Sequence, residues 1–230
     1  MFYLDFSNKN LRLLFEIGGE DIYITQSILS TWIVMGVLIL IAIIIRIRLN
    51  KFKSIPRGFQ NVVEAAVEAI ENFTQKTMGK ETTFFSGYFL SIFAFIIFSN
   101  YSSLIGLRPP TSDLATTLAL ALMTFVLTHA SGLKTKKLKY FKSFIEPIPV
   151  FLPINIIGEI AKPVSLAFRL FGNILSGVII MGLIYTMLPV LLRVILPDFL
   201  HFYFDIFVGG LQAFIFTVLS MTYVAQAMGD

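Results

Sequence analysis

Apolar residues fall into five long runs, separated by short polar or basic segments. Three runs, at 28–45, 86–107 and 114–131, suit single crossings, because the hydrocarbon core of a bilayer takes about 20 helical residues. The last two runs, at 154–188 and 199–228, are longer. The pattern predicts an all-α integral membrane protein with about five membrane-embedded helices.

Residues 57–80 interrupt the apolar pattern. Valines and alanines alternate there with glutamates at helical spacing, which indicates an amphipathic helix. We predict that it lies near the interface or extends the next span. Residues 1–27 form an outer segment whose aromatic and leucine side chains would rest on the membrane surface. All these elements belong to a single membrane domain, 1–230.

The two last helices are too long for simple crossings. A helix over 154–188 would measure about 50 Å at 1.5 Å per residue, against a hydrocarbon thickness of about 30 Å. It is therefore either broken into two pieces or strongly tilted. In the second case the last two helices form a tilted hairpin, and the first of them could run along the side of a partner.

Basic residues set the predicted orientation. Five Lys or Arg lie within 46–57 and five more within 134–142. Cytoplasmic loops carry such clusters. We therefore expect an outer N-terminus, five crossings and a cytoplasmic C-terminal Asp230.

Composition narrows the classes of function. Of the 230 residues, 56% are hydrophobic and 14% charged, whereas soluble domains have roughly 25% charged residues. The absence of cysteine excludes disulfides and thiolate metal sites, and no phosphate-binding Gly-x-x-x-x-Gly-Lys-Ser/Thr loop is present. The net charge of +4 comes from the loop clusters, so we predict no nucleic acid partner. We also predict no cofactor for this chain.

Polar residues within the fourth run form a stripe. They are spaced three, four, four and three residues apart, which places them on one helix face: Lys162, Ser165, Arg169, Asn173 and Ser176. A charge at the bilayer centre costs at least ~2.5–3.5 kcal/mol, and arginine cannot lose its charge. Arg169 is therefore the leading functional candidate. On the last helix, Asp205 and Gln212 are seven residues apart and would share a second polar face.

Three mechanisms would justify one intramembrane arginine. Voltage sensing uses several arginines at regular spacing, and the binding of an anionic substrate uses more hydrogen-bond donors. In the third mechanism, the arginine faces a titrating carboxylate on a partner. One arginine is enough for this, because Arg169 would attract the ionised acid and repel a free cation. An independent secondary transporter or channel that binds an anion remains the alternative, and a membrane scaffold is a third possibility.

Two motifs carry a family resemblance. The run from Lys162 to Gly177, KPVSLAFRLFGNILSG, resembles the signature of subunit a of F-type ATP synthases, and Leu211–Phe216, LQAFIF, resembles the motif of its last helix. Asn100, Thr111 and Asp113 match earlier segments, so that the resemblance extends from about residue 85 onward.

The resemblance implies a non-catalytic stator subunit that translocates protons, or alternatively sodium ions. Its partners would be a rotating ring of c subunits, the b-subunit peripheral stalk, other synthase subunits and membrane lipid. A bacterial-type plasma membrane is the implied location. Arg169 matches the arginine that releases the ion from the ring carboxylate and prevents leak between an outer and an inner half-channel.

Other site residues follow from the same resemblance. Asn173 and Gln212 match polar residues near the arginine, Asn100 and Thr111 match positions on the outer path, and Glu159 resembles an acid of the inner path. Asp113, at the start of a helix, is also predicted to belong to the ion path.

The chain departs from the family pattern at two positions. Val178 stands where many members have Glu or His, and Ser103 stands where many have a carboxylate. The outer path is therefore less acidic than usual, and Asp205 would carry the relay role alone.

Overall fold

The structure, a computed structural model, describes residues 10–17, 20–137, 139–145, 148–187, 189, 197 and 199–229, with the backbone alone for 10–17, 20–22, 80, 81, 141 and 143. Residues 1–9 at the start of the chain and Asp230 at its end lie outside the described residues. So does the predicted link between the two long helices, apart from Pro189 and Pro197.

Helices make up most of the described chain. Five helical stretches are long and apolar enough to cross a membrane, and this confirms the predicted all-α membrane class. The helices, in chain order, are α1 (Gln26–Arg48), α2 (Phe59–Met78), α3 (Ser86–Tyr101), α4 (Leu114–Lys136), α5 (Lys139–Ser143), α6 (Leu152–Met187) and α7 (Gly209–Met228).

A β-hairpin precedes α1 and was not predicted. Strand β1 (Asn10–Ile17) pairs antiparallel with β2 (Glu20–Thr25), and the register shifts twice along the pair. The hairpin leads directly into α1, where the amide of Ile28 donates to Thr25 Oγ1 at 3.4 Å. Thr25 thus caps the first spanning helix in the usual manner of a threonine N-cap.

Four helices surround the core. α3, α4, α6 and α7 contribute Ile96, Ala121, Leu170, Ala213 and further apolar residues to one buried cluster. Small residues at the contact let membrane helices approach closely, and Ala121 and Ala213 have no exposed surface. α1 lies at the periphery and buries mainly its small polar residues against the bundle.

α2 is a separate helix between two glycines. Gly58 has a φ of 57° and Gly79 a φ of 97°, a region that side chains disfavour. The helix therefore begins and ends two residues inside the predicted 57–80. Phe73 of α2 packs against Phe214 of α7, with ring centroids 5.5 Å apart. This contact holds the amphipathic helix on the bundle.

α6 is continuous over 36 residues, so of the two alternatives, a break into two pieces or a strong tilt, the break is wrong. Pro163 lies inside it and costs one backbone hydrogen bond, which membrane helices tolerate when neighbouring helices pack around the site. Its length is about 54 Å. The unbroken helix therefore retains the mismatch with a bilayer core of about 30 Å on which the tilt prediction rests.

Two local departures shape the region around α3 and α7. α3 ends at Tyr101, before the predicted 107, because the chain tightens into a 3₁₀ turn at Ser102–Ile105 and reverses at Gly106, whose φ is 76°. A π-helical segment, Phe202–Val208, precedes α7. The expected regular helix over 199–228 is thus widened near its start.

Candidate functional site

Arg169 lies on the outward side of α6. The buried residues of this helix recur every three or four positions along one face, at Pro163, Leu166, Ala167, Leu170, Ile174, Gly177 and Met181. At 3.6 residues per turn, the polar stripe lies about a third of a turn away from that face. Arg169 is exposed and has no hydrogen bond or ion pair with any described residue. A charge on an outward membrane face needs a partner that covers it.

Two cavities along α6 are named the outer and the inner cavity after the predicted orientation of the chain. The outer cavity lies on one side of Arg169. It has a volume of about 470 Å³ and is bounded by Leu175 and Val178 of α6, by the start of α1 and by the loop between α3 and α4. Its polar lining consists of Gln26, Ser30, Ser103, Arg108 and Ser112. Among the described residues that line it, none is a carboxylate or a histidine.

The inner cavity lies on the other side. Its volume is about 540 Å³, and its lining includes Glu159 and Lys162 of α6 together with Gln226 of α7. Lys162 Nζ lies 2.6 Å from Glu159 Oε1 and also stands over the ring of Tyr223, 5.6 Å from its centroid. The predicted inner-path acid therefore lines a polar cavity and is paired with the first cation of the stripe.

Arg169 is almost midway between the two cavities. Glu159 precedes it by ten residues and Val178 follows by nine, which correspond to about 15 Å and about 13.5 Å along the helix axis. Along the helix axis, the exposed cation thus lies between the residues that line the two cavities, although Val178, nine residues on, is about half a turn around the helix from it.

Tyr140 closes one wall of the inner cavity. Burial, assisted by the nearby Glu159 carboxylate, raises the pKa of Tyr140 to about 12. Its hydroxyl is hydrogen bonded to His129 Nδ1 of α4. Its ring lies so close to Gly132 that a Cβ there would overlap it. α5 is therefore seated tightly against α4.

Asn100 and Thr111 were predicted to lie on the outer path. The structure brings them together where α3 meets the loop that leads to α4. Thr111 Oγ1 donates to Asn100 Oδ1 at 2.6 Å, and Asn100 Nδ2 donates to the carbonyl oxygen of Gly209 at 2.7 Å. Both side chains are buried. Asp113 caps α4, accepting from the amide of Ala115 at 3.0 Å. These three residues fix where α3, α4 and α7 meet.

Asp205 and Gln212 lie on different kinds of helix. Gln212 is buried within α7, and neither it nor Asn173 forms a side-chain hydrogen bond with a described residue. Asp205 is in the π-helical segment, where its Oδ2 lies 2.7 Å from His201 Nδ1. A π-helix bonds i to i+5, so the seven-residue spacing does not imply a shared face.

Several residues that line the cavities were not predicted from the sequence. Gln26, Ser30 and Arg108 line the outer one, and Tyr140 the inner one. For the outer cavity, the sequence did offer one indication: Ser30 lies three residues after Ser27 in an otherwise apolar helix, and both serines are buried. In the described part of the chain, no three or more His, Cys, Asp or Glu side chains lie together in a group that could hold a metal ion.

The fold and site define a class: a polytopic helical membrane protein with an exposed, unpartnered arginine between two polar cavities on one long helix. The sequence profile of the family described as ATP synthase A chain matches residues 28–225. ATP synthase subunit a 1 of Syntrophotalea carbinolica is 38% identical over 204 residues, covering 86% of this chain and 84% of the relative. ATP synthase subunit a of Moorella thermoacetica is 37% identical over 215 residues, covering 93% and 94%.

The chain belongs to the ATP synthase subunit a family. The predicted resemblance is confirmed, and with it the coarse assignment of the chain as a membrane stator component of the ATP synthase complex.

Proposed function

We propose that this chain carries ions between the two sides of the membrane and a ring of c subunits, with Arg169 facing the ring carboxylates. The ion is a proton, or alternatively sodium. The outer cavity serves as the end of one half-channel, and the inner cavity serves as the end of the other. The single observation that carries this proposal is the exposed and unpartnered Arg169 between two polar cavities.

The proposed chemistry follows from an obligate cation. Arg169 would attract an ionised ring carboxylate and so favour release of its ion. A free cation would be repelled from the same place, which would prevent direct leak between the cavities. The guanidinium keeps its charge at every physiological pH, so this barrier would not depend on local acidity.

Further residues have proposed roles around this centre. Asn173 and Gln212 would offer polar groups beside Arg169, Glu159 would accept or release ions in the inner cavity, and Asp205 would relay them on the outer side. We propose that Asn100, Thr111 and Asp113 act by holding the wall of the outer path. Their support is the buried hydrogen-bond network, in which the Asn100 amide already has two partners.

The remaining partners and the location are proposed on family grounds. The b-subunit peripheral stalk would hold this chain stationary against the turning ring. Both relatives come from bacteria, so we propose a plasma membrane, with the N-terminus outside and the C-terminus in the cytoplasm. The ATP chemistry would belong to other subunits.

The test is Arg169→Ala in the whole complex, reconstituted into vesicles. We expect ATP-driven ion pumping and ATP synthesis to fall to background while the complex still assembles. Lys76→Ala, which removes an exposed cation from α2, is the matched control and should leave both rates unchanged. Retained pumping in Arg169→Ala would overturn the mechanism. ATP-independent uptake of an anion by this chain alone, lost in the same variant, would favour the secondary transporter instead.

A further inference from the structure

The outer end of α6 is joined to the segment before α7 by a chain of three polar side chains. Tyr185 Oη lies 3.1 Å from His201 Nε2, and His201 Nδ1 lies 2.7 Å from Asp205 Oδ2. Both imidazole nitrogens are therefore engaged at once. An ionised carboxylate only accepts hydrogen bonds; a neutral imidazole between these two partners would therefore donate from Nδ1 to Asp205 and accept from the tyrosine at Nε2.

The three side chains differ in their access to the surroundings. Tyr185 is 44% exposed, and the side chains of His201 and Asp205 are 40% and 19% exposed. The path therefore runs from an open phenol to a more enclosed carboxylate. This order suits a group that collects a proton at the surface and passes it inward.

The π-helical segment that carries Asp205 is held from α3. Tyr101 Oη donates to the carbonyl oxygen of Ile206 at 3.2 Å, and Asn100 Nδ2 donates to that of Gly209. Segments of π-helix occur frequently at functional sites. Two anchors from a neighbouring helix fix the carboxylate in place while the imidazole next to it remains accessible.

Among the side chains that the structure describes, other acids and histidines are scarce on this side of the molecule. The outer cavity has no carboxylate or histidine among its described lining residues. Of the acids and histidines whose side chains are described, only Asp113, His201 and Asp205 belong to the outer half. Asp113 is committed to capping α4. Among the side chains that the structure describes there, the imidazole and its carboxylate are the groups left to bind a proton.

We propose that Tyr185, His201 and Asp205 form a proton-uptake relay at the outer end of the α6–α7 pair. This inference rests on the proposed function and extends it to Tyr185 and His201, so that Asp205 does not act alone. An aqueous proton binds the phenol oxygen as the phenol transfers its own proton to Nε2. The resulting imidazolium gives its Nδ1 proton to Asp205, which becomes neutral. Release of that proton inward restores the carboxylate, and exchange with water at the exposed imidazole edge restores the first tautomer.

The elements packed on the π-helical segment bring few other ionisable groups near it. They are Tyr101 at the end of α3, Arg169 further along α6, and Tyr203 within the segment itself. None of these is a carboxylate or an imidazole, so the relay has no duplicate in the described residues around it.

The test uses the whole complex in vesicles, with ATP synthesis driven by an imposed proton gradient. His201→Gln keeps a hydrogen-bonding side chain but cannot carry a proton in this way, and should lower the rate at least tenfold, since a positioned proton-transfer group contributes about 10²-fold or more. Tyr185→Phe should lower it about twofold to fivefold, since water can replace the phenol. Tyr203→Phe, which keeps the ring stacked on Phe207, is the matched control and should leave the rate unchanged.

Chemical rescue separates proton transfer from a structural role. In His201→Ala, imidazole in the outer medium should restore part of the rate, whereas pyrazole, a ring of equal size and far weaker basicity, should not. Equal rescue by both would assign His201 a space-filling role and overturn the relay. Normal rates in both His201→Gln and Tyr185→Phe, with Arg169→Ala inactive, would overturn the relay and leave the proposed function standing. An active Arg169→Ala would overturn both.

Discussion

Asn100 on α3 donates a hydrogen bond of 2.7 Å to the carbonyl oxygen of Gly209, 109 residues further along the chain. Gly209 is the first residue of α7 and directly follows the π-helical segment. The approach is close enough that a Cβ on Gly209 would lie 3.1 Å from Cβ of Asn100. The bond thus fixes the level at which the wide π segment ends and the regular last helix begins.

Removal of the Asn100 amide should destabilise the subunit. Asn100→Ala leaves the Thr111 hydroxyl and the Gly209 carbonyl without their present partners, at a cost of about 1–3 kcal/mol for each buried group. We expect a total loss of about 2–4 kcal/mol, measured by equilibrium unfolding in mixed detergent micelles. Asn173→Ala is the control, since its amide has no described hydrogen-bond partner, and should cost under about 0.5 kcal/mol. Equal losses in both variants would contradict the network.

The Glu159–Lys162 pair should matter for transport rather than for stability. Both side chains are partly exposed, by 24% and 29%, and ion pairs of this kind contribute about 0–1 kcal/mol. We expect Glu159→Gln to lower ATP-driven pumping several-fold in reconstituted vesicles, while the unfolding midpoint hardly moves. Unchanged pumping would remove Glu159 from the ion path. A large loss of stability would make it a structural residue instead.

Gly132 should tolerate no larger residue. An alanine in a helix interior is usually better than glycine by about 1 kcal/mol, but the Cβ at Gly132 would overlap the Tyr140 ring. Forcing the ring away costs about 1–3 kcal/mol, so Gly132→Ala should lower the unfolding free energy. Gly36→Ala, where nothing lies within 4 Å, should be neutral or stabilising. The difference between the two variants is the quantity to measure.

Tyr140 should make the subunit less stable in alkali. Burial raises its pKa to about 12, against about 10 in an unfolded chain. Between these values the unfolded chain loses the proton and the folded chain keeps it, so the stability contributed by this group is complete below pH 10 and falls as the pH rises towards 12. Thermal unfolding between pH 9 and 11 should show a shallower decline in Tyr140→Phe than in the unchanged protein. Parallel declines would contradict the shift.

The helices were predictable because the bilayer imposes a length and a composition on them. Arg169 could be singled out for the same reason, since a permanent charge in an apolar run has few physical justifications, but its role in ion flow stays a prediction. The continuity of α6 was not, because Pro163 has opposite consequences in an isolated helix and in a packed bundle.

Other features depended on contacts that no local pattern encodes. The π-helical segment is held by Tyr101 and Asn100, which are about a hundred residues away from it in the chain. The link from Tyr185 to His201 also forms only when α6 and the segment before α7 are packed together. The seven-residue spacing of Asp205 and Gln212 assumed a regular α-helix and therefore could not describe this region.

The outward position of Arg169 has a consequence for biogenesis. A single copy of this chain, newly inserted and still surrounded by lipid, holds an uncompensated positive charge on its surface, at a cost of ~2.5 kcal/mol or more. Association with the proposed acidic ring would remove that cost, so that an orphan copy would be the less stable species in the membrane. The residue proposed to control ion flow would then also favour incorporation of the subunit into its complex and mark unassembled copies for removal.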